Sequence, residues 1–222
     1  MRRLFALLIS TMILGAQAPS DTTFYAVAYV DVTPASMASA LSAFRQYRDA
    51  SRKEDGFRMF ELFEQQGRDG HLALIETWTN PKAFETHSAA AHTKEWRTKL
   101  DSIRLSDYDQ RPYKTLIFDP SPGTSTERRT YVITHVDIGG QGTNAAELLR
   151  RQAEASRKEG GNRRFDVMQH MMRANHFTVI EAWQNRRAVD AHAAAAHTRQ
   201  YRDALGPIAG SPLDERIYEA VQ

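Results

Sequence analysis

The chain has 222 residues, with 29 Lys+Arg against 27 Asp+Glu, 41% hydrophobic residues, 25% charged residues and no cysteine. That length fits one large domain or two of about 100 residues, and the composition excludes wholesale disorder. Without cysteine there is no disulfide scaffold, thiolate metal site or cysteine nucleophile.

Residues 1–20 read as a secretory signal peptide. Met1-Arg2-Arg3 is a positive start, Leu4 to Gly15 is almost wholly apolar, and Ala16-Gln17-Ala18 is a small-x-small cleavage pattern, with Ser20 an equally good exit. An apolar run of about 12 residues is too short for a hydrocarbon core of roughly 30 Å. Removing Arg2 and Arg3 leaves 27 basic residues against 27 acidic ones, so the mature protein is near neutral. The expected location is periplasmic or extracellular. Nucleic acid and stable membrane association are not expected.

From residue 22 onward the chain repeats itself. Ser51-Arg-Lys-Glu54 returns as Ser156-Arg-Lys-Glu159, Ile75-Glu76-Thr-Trp78 as Ile180-Glu181-Ala-Trp183, and His87-x4-His92-Thr93 as His192-x4-His197-Thr198. The offset is 105 throughout, and it gives 27 identities over the 63 positions from Ser51 to Tyr113. Two domains follow, 22–118 and 129–222, joined by a Pro/Gly/Ser-rich linker at 119–128.

In chain order, each copy reads β-α-β-β-α-β. Phe24–Val32 is a strand rich in Tyr, Val and Ala. Thr33-Pro34 is an N-cap followed by a first-turn proline, and Met37, Leu41, Phe44 and Tyr47 follow at helical spacing. Gly56 stops that helix, as Gly160-Gly161 does in the second copy. Phe57–Gln65 and His71–Trp78 form a hairpin around Gly67-Arg-Asp-Gly70. Asn80-Pro81 opens another helix, in one or two pieces to about Ile103, and Tyr113–Phe118 closes the unit. His71, Ala73, Ile75 and Thr77 alternate with Leu72, Leu74, Glu76 and Trp78, so both faces of the hairpin need cover. The expectation is an α+β fold: two ferredoxin-like repeats packed sheet to sheet, helices outside, as an intramolecular barrel.

Several residues invite a chemical reading. Glu76 and Glu181 share a face with Trp78 and Trp183, and a buried glutamate needs a partner. Arg58 and Arg163, on the neighbouring strand, are the expected partners. His87 and His92 are five apart, about 140° around an ideal helix. That spacing does not suit two ligands on one helix face, and no adjacent carboxylate completes a triad, so no metal is expected. His71 and His176 open a strand after a turn and are expected to be exposed or partly exposed, and structural.

Lys53-Glu54-Asp-Gly56, the hairpin ending Glu76-Thr-Trp78, Ala83 and His87-x4-His92 together resemble the antibiotic biosynthesis monooxygenase superfamily. The resemblance implies ferredoxin-like domains paired into an α+β barrel, with a ligand pocket between sheet and helices. It implies cofactor-independent oxygenation of an aromatic quinol or phenol, with O2 as co-substrate. Carried over by motif, it makes His87, His92, His192 and His197 the catalytic candidates and Trp78 and Trp183 the pocket wall. Arg58 and Arg163 join them as candidate substrate contacts because both copies retain them. Histidine suits deprotonation of a phenol near neutral pH. The alternatives are a non-catalytic small hydrophobic ligand-binding or stress-related protein, and a haem-binding or haem-degrading one. Haem-degrading members carry an asparagine in the first strand, and Tyr25–Val32 and Tyr131–Ile138 contain none. Ala91 and Ala196 stand where a proline is common, which implies a softer helix break. With both halves on one chain, a monomer is the expected folded unit, and the diverged copies (Trp96 against Tyr201, Phe84 against Val189) should hold different pockets.

Overall fold

A computed structural model describes residues 22–118, 128–139 and 144–221. The expected leader at 1–20 and linker positions 119–127 lie outside the described residues. The first repeat comprises β1 (Phe24–Asp31), α1 (Met37–Ser51), β2 (Phe57–Gln65), β3 (His71–Trp78), α2 (Pro81–Ala89), α3 (Ala91–Asp101) and β4 (Asp109–Ile117). The second comprises β5 (Thr130–Asp137), α4 (Ala145–Ser156), β6 (Asn162–His170), β7 (His176–Trp183), α5 (Arg186–Ala193), α6 (Ala196–Leu205) and β8 (Asp214–Ala220).

Side-chain caps start the short helical turn at Pro34–Ser36 that leads into α1, and the helices α2 and α5. Thr33 Oγ1 accepts from the Ser36 amide at 3.1 Å, Asn80 Oδ1 from Ala83 at 2.9 Å and Asn185 Oδ1 from Ala188 at 3.0 Å. The eight strands close into one antiparallel barrel in the order β1-β3-β2-β8-β5-β7-β6-β4. Each repeat supplies four strands, and the repeats join edge to edge. Phe63 pairs with Ala220 and Gln65 with Tyr218 at one seam, and Tyr113 pairs with His170 at the other. Closure leaves no free sheet edge within the barrel.

β3 and β7 are buried along their whole length. Inward, Ala73 and Ile75 meet Tyr25, Val27, Phe63, Ile133, Met168 and Ile180 from both repeats. Outward, Leu72 and Leu74 pack with Phe44, Trp96 and Leu100 of the helices. One buried charge network crosses the barrel. Arg164 holds Asp166 at 2.5 Å and, from the other repeat, Glu61 at 2.6 Å. Breaking one partner of such a pair strands a buried charge, so it fastens the halves together.

His71 and His176 depart from expectation. They are 4% and 2% exposed, and each places Nδ1 2.8 Å from an aspartate, Asp31 or Asp137. They share the inward face with Ala73 and Thr178, and barrel closure covers that face.

Candidate active site

The two Ser-Arg-Lys-Glu turns build one wall of the site. Ser51 Oγ donates to the Tyr47 carbonyl at 2.8 Å and Ser156 Oγ to the Gln152 carbonyl at 2.7 Å, capping α1 and α4. Gly56 follows with φ +84°, and a Cβ there would lie 2.6 Å from Ala83 Cβ. At Gly161 the corresponding clash, with Ala188 Cβ, would be 2.5 Å. Only glycine lets the turn lie this close to the next helix. The result is that Glu54 and Glu159 face the histidine helices.

Those helices break fully, without proline, so the softer break is corrected. Ala90 and Ala195 are extended (ψ 150° and 148°), separating α2 from α3 and α5 from α6. Thr93 Oγ1 donates to the His87 carbonyl at 2.8 Å, beside the Ala90 amide at 3.0 Å, and so ties α3 to the end of α2. The break turns His92 back toward His87, with ring centroids 5.5 Å apart, against 5.6 Å for His192 and His197. The 140° spacing therefore does not apply, and a carboxylate is adjacent after all. Glu54 lies 2.5 Å from His87 Nδ1 and 3.6 Å from His92 Nε2. In the second copy Glu159 lies 2.6 Å from His192 Nδ1 and 3.2 Å from His197 Nε2. Each Glu-His-His set could hold a metal ion: its ligand atoms all lie within 4.8 Å of one another.

Glu76 is fully buried, but its partner is not Arg58. Tyr47 Oη donates to Glu76 Oε1 at 3.0 Å and lies 2.5 Å from His87 Nε2, and Glu76 is itself 3.3 Å from that nitrogen. Glu54, His87, Tyr47 and Glu76 thus form one hydrogen-bonded chain. Arg58 donates instead to Thr23 Oγ1 at 2.5 Å, and Arg163 to the carbonyls of Gly160 and Asn162 at 2.9 Å. A β-bulge explains both: the register shifts between Phe57 and Met59, and again between Asn162 and Arg164, so each arginine sits in the bulge. Trp78 and Trp183 are fully buried, with their rings 4.4 and 4.5 Å from His87 and His192; Trp183, expected as a pocket wall, is not among the residues bordering the cleft of the second repeat.

The same frame is filled in one repeat and hollow in the other. In the first, Tyr47 stacks on Trp96 (4.0 Å, 6° between planes), and Tyr108 meets Trp96 edge-on. The corresponding residues of the second copy are Gln152, Tyr201 and Leu213. A cleft opens there, bordered by Gln152, Phe165, Glu181, His192, Tyr201 and Arg202. The Gln152 amide donates to Thr198 Oγ1 at 3.2 Å and lies 3.5 Å from His192 Nε2. Its Oε1 is buried without a hydrogen-bond partner. Glu181, lacking a tyrosine, accepts from Trp183 Nε1 at 2.7 Å.

Charge states diverge accordingly. Burial alone would lower the His87 pKa, but hydrogen bonds and charge from Glu76 and Glu54 outweigh it and leave it raised. At His192 burial prevails over Glu159, and the pKa is lowered. Burial lifts Glu181 to about 8, against the lowering hydrogen bond from Trp183. The first copy therefore favours an imidazolium. The second favours a neutral imidazole beside a protonated carboxylic acid.

Two parts of this site were not assigned from sequence: Glu54 with Glu159, and Tyr47 with Gln152. The first pair was visible as a retained motif, and the second as a size and polarity change at one aligned position.

A barrel of two fused ferredoxin-like repeats, each with a Glu-His-His wall under its helices, defines the class. Residues 23–99 and 138–204 match the family model described as antibiotic biosynthesis monooxygenase, and the chain belongs to that family. It is 31% identical over 82 residues to YcnE of Bacillus subtilis (strain 168), named as a monooxygenase; the match covers 37% of this chain and 86% of YcnE. A Fusobacterium nucleatum protein described as a monooxygenase superposes with a TM-score of 0.80 at 15% identity, covering 91% of this chain and 94% of its own. A structure described as an anthrone oxidase-like protein gives 0.68 at 12% identity, covering 91% and 93%. At such identities the structural matches establish the fold alone.

Proposed function

We propose that the protein is an exported monooxygenase that oxidises a phenol or hydroquinone without a cofactor, in the cleft of the second repeat. The observation that carries this reading is the position of Tyr47. In the first repeat a phenol oxygen is held between a histidine Nε2 at 2.5 Å and a buried carboxylate at 3.0 Å. The second repeat keeps the histidine and the carboxylate but opens a cleft where the phenol ring lies, which an external phenol would fill. Family membership and the monooxygenase name of YcnE support the reaction class.

In this mechanism Glu159 accepts the Nδ1–H of His192 and leaves the Nε2 lone pair toward the cleft. Nε2 takes the substrate hydroxyl proton, and the resulting phenolate passes one electron to O2. Phenoxyl and superoxide combine at a ring carbon. The peroxide takes back the proton from His192, and loss of water gives the quinone. The substrate supplies all four electrons: ArH(OH) + O2 gives the quinone and one water. Glu181, protonated near neutral pH, can donate a hydrogen bond to the substrate oxygen. Phe165, Leu149 and Val179 border the cleft as apolar walls suited to a planar ring.

Oxygen uptake across a panel of hydroquinones and anthrone-type phenols tests this. His192→Ala should lower kcat/KM by about 10²–10⁴-fold, while His87→Ala should lower it by less than about tenfold. No uptake with any substrate, or equal losses in the two variants, would overturn the assignment.

A further inference from the structure

We infer that each repeat carries a site for one divalent transition-metal ion of the zinc type, bound by Glu54, His87 Nδ1 and His92 Nε2 in the first and by Glu159, His192 Nδ1 and His197 Nε2 in the second. A borderline-soft cation takes imidazole nitrogen and carboxylate oxygen at about 2.0–2.2 Å. Three such atoms around a tetrahedral ion stand about 3.4 Å apart. His92 Nε2 to Glu54 (3.6 Å) and His197 Nε2 to Glu159 (3.2 Å) already have that spacing. The shorter contacts, 2.5 and 2.6 Å from His87 and His192 Nδ1, are hydrogen bonds that would open as the ion replaces the proton.

Three further features fit an ion. Behind the Nδ1 ligands, the opposite ring nitrogen lies 3.8 Å from Glu181 in the second copy, beyond hydrogen-bond reach, whereas in the first it faces a second buried carboxylate, Glu76, at 3.3 Å. This is the outer carboxylate that commonly orients a ligating histidine. His92 and Glu54 are 28% and 22% exposed, and His197 and Glu159 are 28% and 23%, while the His197 Nε2 atom itself is buried without a hydrogen-bond partner. The geometry is also duplicated: helix break, glutamate turn and 52° ring angle recur in two copies whose other pocket residues have diverged.

At the second repeat the ion would suppress proton acceptance, a consequence that rests on the reading of His192 as the base. Coordination through Nδ1 puts the ring proton on Nε2, so the lone pair facing the cleft is lost. Zinc would then be a reversible inhibitor of the oxygenase.

Calorimetric titration of the chelator-treated full chain with Zn²⁺, and the visible absorption of Co²⁺ in its place, test the sites without any substrate. Two equivalents are expected for the unaltered protein, one for His92→Ala and one for His197→Ala. Binding should weaken at least a hundredfold at both sites in the double variant. These half-exposed positions should tolerate alanine, and circular dichroism checks the fold. Fewer than one equivalent, or binding unchanged in the folded double variant, overturns the inference. In an arm with substrate, Zn²⁺ should abolish oxygen uptake and a chelator restore it; full activity at saturating Zn²⁺ would refute the inhibitory role. Absent uptake with intact two-site binding would sink the oxygenase reading and leave the metal sites standing.

Discussion

Tyr47 and Gln152 occupy the same place in two copies of one fold, and the difference between them decides what each copy can do. Around Tyr47 the aromatic stack on Trp96 fills the space under the helices, and two carboxylates leave His87 with a raised pKa. Around Gln152 the stack is missing, a cleft stands open, and His192 has a lowered pKa. The retained Glu-His-His wall shows that the frame tolerates either filling. The lesson is that one frame can hold two fillings: the first copy sets a protein phenol against its histidine, while the second sets there an amide whose Oε1 has no protein partner, although buried side-chain atoms without partners, such as Glu76 Oε2 and Trp78 Nε1, occur in the first copy too. A buried polar atom without a partner costs stability, and Gln152 borders the cleft, where a ligand could supply that partner.

Transferring the filling should transfer the behaviour. Gln152→Tyr places a phenol against His192 and Glu181, and oxygen uptake should fall roughly a hundredfold, an effect of about 2.7 kcal/mol. Uptake within threefold of the unaltered protein would place the reaction elsewhere. Next in size, Tyr47→Phe removes a hydroxyl that serves both His87 and Glu76. Urea unfolding should show a loss of about 2 kcal/mol, against less than about 1 kcal/mol for Gln152→Leu. Equal losses would mean that the Tyr47 hydroxyl contributes no more to its site than the Gln152 amide does.

A smaller effect separates the barrel interiors. At aligned positions β1 carries Tyr29 and β5 carries His135. Burial holds the His135 pKa down to about 4, with Arg111, His176 and Arg216 acting in the same direction and Asp214 opposing. A folded-state pKa below the unfolded one means that the unfolded chain binds the extra proton first. Stability from this group is complete above about pH 6.5 and is lost as pH falls toward 4. Between pH 7 and pH 5 the loss should be about 1–2 kcal/mol, and His135→Gln should remove that part of the acid sensitivity. An unchanged pH dependence in the variant would assign the sensitivity to other groups.

Much of this was legible in the sequence because repetition reports on itself. The hairpin strands Phe57–Gln65 and His71–Trp78 fall where alternation and turn residues placed them, and the two-sided apolar pattern called for the closed barrel. His87 and Trp78 were readable as site residues from their motif. Glu54 was not placed with them, because its approach to His87 depends on the clearance between Gly56 and Ala83, a non-local packing fact. Arg58 was misassigned to Glu76 because strand alternation fails at a bulge, and no turn residue marks that bulge in Phe57-Arg-Met-Phe60. His71 was misread as exposed because its cover comes from barrel closure rather than from its own repeat. Without proline the helix break at Ala90 was underestimated, although Thr93 supplies the bond that stabilises it.

The central claim is that one repeat is closed on itself and the other is open to a phenol. Binding stoichiometry tests it most directly, by calorimetric titration of the full chain with a non-oxidisable phenol under anaerobic conditions. One phenol should bind per chain; binding should disappear in Gln152→Tyr and persist in His87→Ala. Two equivalent sites, or one site indifferent to Gln152→Tyr, would contradict the account.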